Sequence, residues 1–276
     1  MDVSVDAGAT GSGCYARDAY SSQGFRVFLD RATIHMLDEY SECDPYNVAC
    51  NLQMPFQRHR VETTIAMVKL ASDAIGGLHT LLDVACGEGH ITAAIHEAFP
   101  EVKISAFDGS LSAIRRASQS FGGIDFAVAD AYDPPYSNEY FDCVVCNNIW
   151  EHVPDPLRLV EAISKLMKPG GYPIVSTPSR YRLDNLLRVC LGKPVLLASC
   201  RHVTEYSVGQ IMEQMRYAGF SVERVAGRVL CSRALRFRAL AHRSVAACLR
   251  FLLRFLGSHH SMAATVFYLA KRLPAS

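Results

Sequence analysis

A chain of 276 residues can hold one α/β domain with additions, or two small domains. Half the residues are hydrophobic and 20% are charged, which excludes wholesale disorder. A net charge of +1 offers nothing global for a nucleic-acid backbone, and ten cysteines without a repeating pair spacing read as reduced thiols of an intracellular protein.

In chain order, the amino-terminal MDVSVDAGATGSGCY lacks the basic start and apolar run of a signal peptide. Residues up to about Gly24 read as a flexible tail. Aromatic and polar residues from Tyr15 to Phe56 read as a helical lid that would exclude water from a site. VETTIAMVKLASDAIGG, from Val61, has helical spacing and ends on glycines. HTLLDVA, ending at Ala85, is a short apolar run that reads as a buried strand. A helix is expected from about Glu88 to Phe99, then a strand VKISAFD ending at Asp108. SLSAIRRASQSF follows as a helix with Ser110 as its N-cap. IDFAVAD and FDCVVCN are the next strands, ending at Asp130 and Asn147. DPLRLVEAISKLM is a helix with Pro156 in its first turn. KPGG, Lys168 to Gly171, reads as a turn before the strand YPIVST. After an insert at about 180–202 come a helix closing on Gly219, a strand SVERVAGRV, a second insert and a last strand AATVFYLAKR.

Strands alternating with helices predict a doubly wound, Rossmann-like α/β fold. The sheet is expected to have seven strands, parallel apart from a final antiparallel one. The division expected is 1–55 tail and lid, 56–231 cofactor-binding core, 232–260 basic insert, and 261–276 last strand. Ligands in such sheets bind beyond the carboxyl ends of the strands. Asp83, Asp108, Asp130 and Asn147 all stand at or near such ends.

LLDVACGEGH is a strand, a glycine turn and a helix start. Gly87 and Gly89 let a ligand approach the backbone. A dinucleotide loop needs G-x-G-x-x-G, and those positions hold Ala85, Gly87 and His90. A bulky His90 opposes close helix–strand packing and so argues against NAD.

With its surroundings, from Arg60 to Val222, this loop resembles motif I of class I S-adenosylmethionine-dependent methyltransferases. The resemblance implies S-adenosylmethionine as cofactor. It places the methionyl part against Ala85, Gly87 and Gly89, with Asp83 near its ammonium. Asp108, followed by Gly109, would take both ribose hydroxyls, Asp130 and Ala131 would contact adenine, and Asn147 would line the methyl-donor side. Arg60, with Arg58 as alternate, would reach the cofactor carboxylate through its planar fork, or else belong to a solvated helix face. Ala85 departs from the commoner glycine, and no harm is expected from so small a residue.

CNNIWEHVPDP, Cys146 to Pro156, resembles small-molecule O-methyltransferases, among them those of ubiquinone biosynthesis. A hydroxyl acceptor must lose its proton, and His152 is the expected general base, with Glu151 orienting it or its loop. The alternative is that His152 only holds the turn. Ubiquinone-pathway enzymes carry Glu–x–x–Glu–His here, linked to a divalent cation. Asn148 replaces the first Glu, and two ligands are thin for a hard cation, so no metal site is expected.

DPPY, Asp133 to Tyr136, spells an amino-group methyltransferase signature but precedes the strand it should follow. Nucleic acid is therefore not expected as a partner. Cys143 and Cys146 stand three apart on a strand and should face opposite sides. RALRFRALAHRSVAACLRFLLRFLG contains no acid. Its Arg236, Arg243 and Arg250 recur every seven residues, with Arg233 and Arg254 near the same face. Such a helix either lies on an anionic membrane through 233–256 or packs on the domain with a solvated Arg face.

The expectation is O-methylation of a small-molecule or lipid-linked acceptor by a cytoplasmic enzyme, peripheral to a membrane on the first of those readings. The other readings are an NAD-dependent oxidoreductase and a non-catalytic, membrane-apposed cofactor-binding module.

Overall fold

The computed structural model describes residues 14–17, 19–22, 24–38, 55–228, 251 and 262–274. The strands are β1 (Tyr20–Ser22), β2 (Phe25–Val27), β3 (Thr80–Val84), β4 (Lys103–Asp108) and β5 (Asp125–Val128). They continue with β6 (Phe141–Asn147), β7 (Met167–Pro178), β8 (Phe220–Arg228) and β9 (Thr265–Arg272). The helices are α1 (Arg31–Leu37), α2 (Pro55–Ile75), α3 (His90–Ala98) and α4 (Leu111–Ser120), then α5 (Pro156–Leu166), α6 (Leu183–Cys190) and α7 (Val208–Tyr217).

All nine strands form one sheet in the order β1-β2-β5-β4-β3-β6-β7-β9-β8. The run from β5 to β8 is the expected seven-stranded core, in which β9 alone is antiparallel to its neighbours β7 and β8. The order turns at β3, whose two neighbours β4 and β6 are both parallel to it. That reversal opens a crevice beyond the carboxyl ends of β3, β4 and β6.

Burial on both faces explains the apolar runs. Along β6, Val144 and Cys146 join the cluster with Leu159, Val160 and Ile163 of α5 and Ile211 and Met215 of α7. Cys143 and Val145 point the other way, to Met67, Val68 and Ala71 of α2 and Ile95 of α3. Cys143 and Cys146 thus face opposite sides, as their spacing requires. Ser110 caps α4 by accepting from the Ala113 amide at 3.1 Å, and Asp155 caps α5 with Pro156 in its first turn.

The amino-terminal reading needs correction. The described residues from Cys14 on are not a tail, and among them two short strands precede α1. Cys14 is fully buried, and β2 extends the sheet by pairing parallel with β5. The reason is packing and polar pairing across the chain. Phe25 and Val27 alternate inward, the Tyr15 hydroxyl donates to Asp125 at 2.8 Å, and Arg26 meets the same carboxylate at 2.9 Å. DPPY is absorbed into this joint. Tyr136 is buried and stacks on Tyr15 at 4.9 Å, while the Ala16 amide donates to the Pro135 carbonyl.

KPGG is likewise no free turn but the irregular start of β7, where the register against β6 shifts. The arginine stripe at 233–256 lies outside the described residues except at position 251, as does most of the proposed 232–260 insert.

Candidate functional site

The loop from Val84 to His90 has a left-handed backbone at Ala85 (φ 57°), Gly87 (φ 57°) and Gly89 (φ 75°). A Cβ on Gly89 would meet the Phe126 ring at 3.0 Å, so this position is glycine for lack of room as well as for its φ. Ala85 is the unexpected member. A side chain in that region costs about 1–2 kcal/mol, so its small size does not make it harmless.

The loop is tied to the next strand by Asp108. One carboxylate oxygen accepts the Gly87 amide at 2.8 Å and the other accepts the Ser110 amide at 2.9 Å. Each oxygen can accept more than one hydrogen bond, so capacity for two ligand hydroxyls is retained. Above it, the α1 residue Leu37 lies within 3.3 Å of where a Gly109 Cβ would stand. Asp38 accepts from the Ser110 hydroxyl, the Ser112 amide and the Ser112 hydroxyl. The amino-terminal segment is therefore pinned over the loop that carries Asp108.

Asp83 is buried and accepts from Thr92 at 2.6 Å. Burial pushes its carboxyl up to about 7, with Asp108 adding to the rise and Thr92 and the Arg60 charge opposing it. The Arg60 charge thus lies near enough to act on Asp83, while its guanidinium also donates to Gln57 at 3.0 Å. Arg58 instead lines a separate cleft of about 730 Å³ with His90, His96 and Phe121 on the helical side. His90 opens α3 with its ring edge-on to Phe121 at 5.4 Å, occupying the place a dinucleotide loop keeps for glycine. Asp130 accepts the Tyr132 amide at 2.9 Å beyond β5, beside the half-buried Ala131.

Asn147, at the end of β6, is hydrogen-bonded within the protein. Its amide nitrogen donates to Thr64 at 3.1 Å and its oxygen accepts from Ser176 at 2.7 Å. These bonds join α2, β6 and β7 at the carboxyl end of β6, and each group keeps one further hydrogen-bonding position.

The loop after β6 turns at Asn148, which has φ 56°. Glu151 is buried, with one oxygen accepting from Asn148 at 2.9 Å and the other from Thr177 at 3.1 Å. It braces the loop. The partner of the His152 ring is the Arg201 backbone. Burial pushes the His152 ring below its ordinary value, Glu151 raises it and His202 lowers it further. The ring is therefore neutral near pH 7 and can accept a proton.

Three residues that the sequence did not single out complete this side. The segment before α7 folds back so that the Val203 and Thr204 amides donate to the Glu151 carbonyl. His202 then stands edge-on to His152 at 5.1 Å. Its Nδ1 lies 2.7 Å from Glu205, a buried carboxylate also held by Arg182 and by the Ala198 amide at 2.5 Å. The string HVTE carried the hint, a His and a Glu three apart just past an insert that also supplies Arg182. One donor atom from each of Glu151, His152 and His202 lies within 4.8 Å of the others, a spacing that a divalent cation or one hydroxyl oxygen could occupy.

Comparison with known proteins bears on the family and the fold. Residues 56–225 match the family model of a methyltransferase domain. The chain is 31% identical over 156 residues to a ubiquinone biosynthesis O-methyltransferase of Thiobacillus denitrificans, covering 53% of this chain and 66% of that protein. It is 26% identical over 163 residues to a ubiquinone/menaquinone biosynthesis C-methyltransferase of Desulfotalea psychrophila, covering 52% and 66%. Both matches span just under two thirds of the relative's length. Among solved structures, a SAM-dependent methyltransferase of Archaeoglobus fulgidus superposes with a TM-score of 0.51 at 16% identity, covering 77% of this chain and 94% of that one. The [4+2]-cyclase SpnF superposes with 0.53 at 20%, covering 76% and 82%. One fold thus carries different reactions, and the site must decide between them.

Proposed function

This chain belongs to the methyltransferase-domain family, and from that premise we propose that it transfers a methyl group from S-adenosylmethionine to a hydroxyl oxygen of a small-molecule or lipid-linked acceptor. The crevice residues fit that cofactor. Gly87 and Gly89 leave the backbone open, the Asp108 carboxylate suits a ribose diol, Asp83 and Arg60 suit the two charged groups of a methionyl end, and Asp130 with Ala131 suits adenine. Bound S-adenosylmethionine supplies a methyl group already activated on a positively charged sulfur.

The protein's share is alignment and proton removal. His152 accepts the acceptor's hydroxyl proton as the oxygen bonds to the methyl carbon. Glu151 holds the loop in which His152 stands, and the pinned amino-terminal segment keeps water out. The observation that carries the oxygen reading is the neutral His152 ring, tethered to the Arg201 backbone beside the crevice. The two ubiquinone-pathway relatives methylate oxygen and carbon respectively, by their names, so likeness alone does not choose between these atoms.

An apolar or lipid-linked acceptor is supported by the insert around α6. Leu187, Val189, Leu191, Leu196 and Leu197 are exposed there, on the segment that returns to His152. Membrane contact through 233–256 belongs to the same reading. Among the described residues, no helix is long and apolar enough to cross a membrane.

The test has two stages. Calorimetry with S-adenosylhomocysteine should show a single site on folded protein, and no heat of binding rejects the cofactor. Methyl transfer to catechols with and without an isoprenoid tail should then fall about a hundredfold in His152→Ala, with cofactor affinity retained. Unchanged turnover in that variant removes the base assignment.

A further inference from the structure

We propose that His202 is the second proton-handling residue of the acceptor site, sharing the acceptor's proton with His152, and that Glu205 is the residue that positions it. The inference rests on the oxygen-methylation reading above and names a side chain that reading does not need.

Hydrogen bonding settles which ring nitrogens can accept. An ionised carboxylate only accepts, so the 2.7 Å contact to Glu205 places a proton on His202 Nδ1 and leaves Nε2 as the acceptor of a neutral ring. Glu205 is fitted for this. Burial alone would raise its carboxyl, but His202, the Ala198 amide and Arg182 bring it below its ordinary value. It is thus a fixed anion at working pH. The Arg201 backbone similarly engages one side of the His152 ring. One nitrogen of each ring lies within 4.8 Å of the other. The proposal seats the acceptor's hydroxyl oxygen in that gap, at hydrogen-bond distance, about 2.8 Å, from each ring.

The charged groups facing the pair are Glu151 from the loop after β6, and Arg182, Arg201 and Glu205 from the segment around α6. In the transfer, the acceptor's O–H bond breaks as its oxygen bonds to the methyl carbon. The carbon–sulfur bond breaks with its electron pair left on sulfur. The proton ends on one of the two imidazoles. Two adjacent imidazolium ions would repel, so one proton serves the pair, and Glu205 and Glu151 offset its charge. The pair then gives the proton to solvent.

The experiment uses the full chain with bound S-adenosylhomocysteine, in EDTA, and follows the histidine ring signals by NMR across pH. The expected result is that His152 and His202 titrate in two coupled steps. In His202→Gln one step disappears and the His152 midpoint moves up, because a neighbouring positive charge is gone. His202→Asn guards against a merely structural role, since its amide can still donate to Glu205. In assays with 3,4-dihydroxybenzoate as the probe, both variants should lose kcat by roughly ten- to a hundredfold and keep their KM for S-adenosylmethionine. Rescue by Asn overturns proton handling in favour of loop support. A single His152 step with the same midpoint in wild type and His202→Gln also overturns the proposal. So does turnover that requires an added divalent cation, which would make the cluster a metal site. If wild type leaves the catechol unmethylated, that counts against the oxygen reading, while the NMR titration judges the pair by itself.

Discussion

The Asp108 carboxylate accepts the Gly87 amide at 2.8 Å across 21 residues of sequence. The acid proposed for the ribose and the loop proposed for the methionyl end are therefore one mechanical unit, and disturbing either disturbs both. Asp108→Ala should weaken S-adenosylhomocysteine binding at least thirtyfold, about 2 kcal/mol for lost hydrogen bonds to a charged group. It should also lower the melting temperature of the cofactor-free protein, because the Gly87 and Ser110 amides lose their acceptor. Calorimetry and thermal melts read the two effects separately.

Asp83 should couple cofactor binding to pH. Its carboxyl is pushed up to about 7 by burial, so the protonated form favours the empty fold. That contribution is fully present below the ordinary value near 4 and is lost as pH rises through 7. Binding a methionyl ammonium calls for the ionised form, so affinity should rise through the same window. Asp83→Asn should flatten both dependences. It should melt higher than wild type at pH 8 and bind S-adenosylhomocysteine more weakly, as thermal scans and titrations at pH 6 and 8 will show.

Ala85 has a backbone conformation that suits glycine. Ala85→Gly removes about 1–2 kcal/mol of steric cost and returns part of it as unfolded-chain entropy. A net gain of about 0.5–1 kcal/mol in urea unfolding is expected, with cofactor affinity unchanged within about twofold. A loss of stability would contradict the assigned φ.

Asp142 offers a control remote from the crevice chemistry. It accepts from the His79 and Thr80 amides, the Thr80 hydroxyl and Lys168, all at 2.7–3.0 Å. Burial would raise its carboxyl, but these donors bring it below its ordinary value. The stability it contributes is therefore present above pH 4 and lost as pH falls through that lower value. Asp142→Asn should cost about 2 kcal/mol at pH 7, and the gap to wild type should close in acid. Cofactor affinity should be untouched.

By itself the sequence determined the seven core strands, the helices between them apart from α6, and the acids at or near the strand ends. Those signals are local. A buried strand reads as an apolar run, a helix shows its period and its cap, and Asp83, Asp108 and Asp130 follow directly from where the runs stop. The mismatch of His90 with a dinucleotide loop was equally local. Only the tertiary structure decided matters that depend on chain segments meeting. Three-residue strands such as β2 have no period to detect and exist because Arg26 and Tyr15 find Asp125, about a hundred residues away. The positive φ of Ala85 follows from the turn and not from the residue type. The polar groups of Asn147 were claimed by Thr64 and Ser176, which no spacing announces. His202 reaches His152 because two backbone amides dock on the Glu151 carbonyl. The motif around Gly87 thus located the glycine turn, while the side proposed for the acceptor is held by hydrogen bonds between an insert and a loop fifty residues apart.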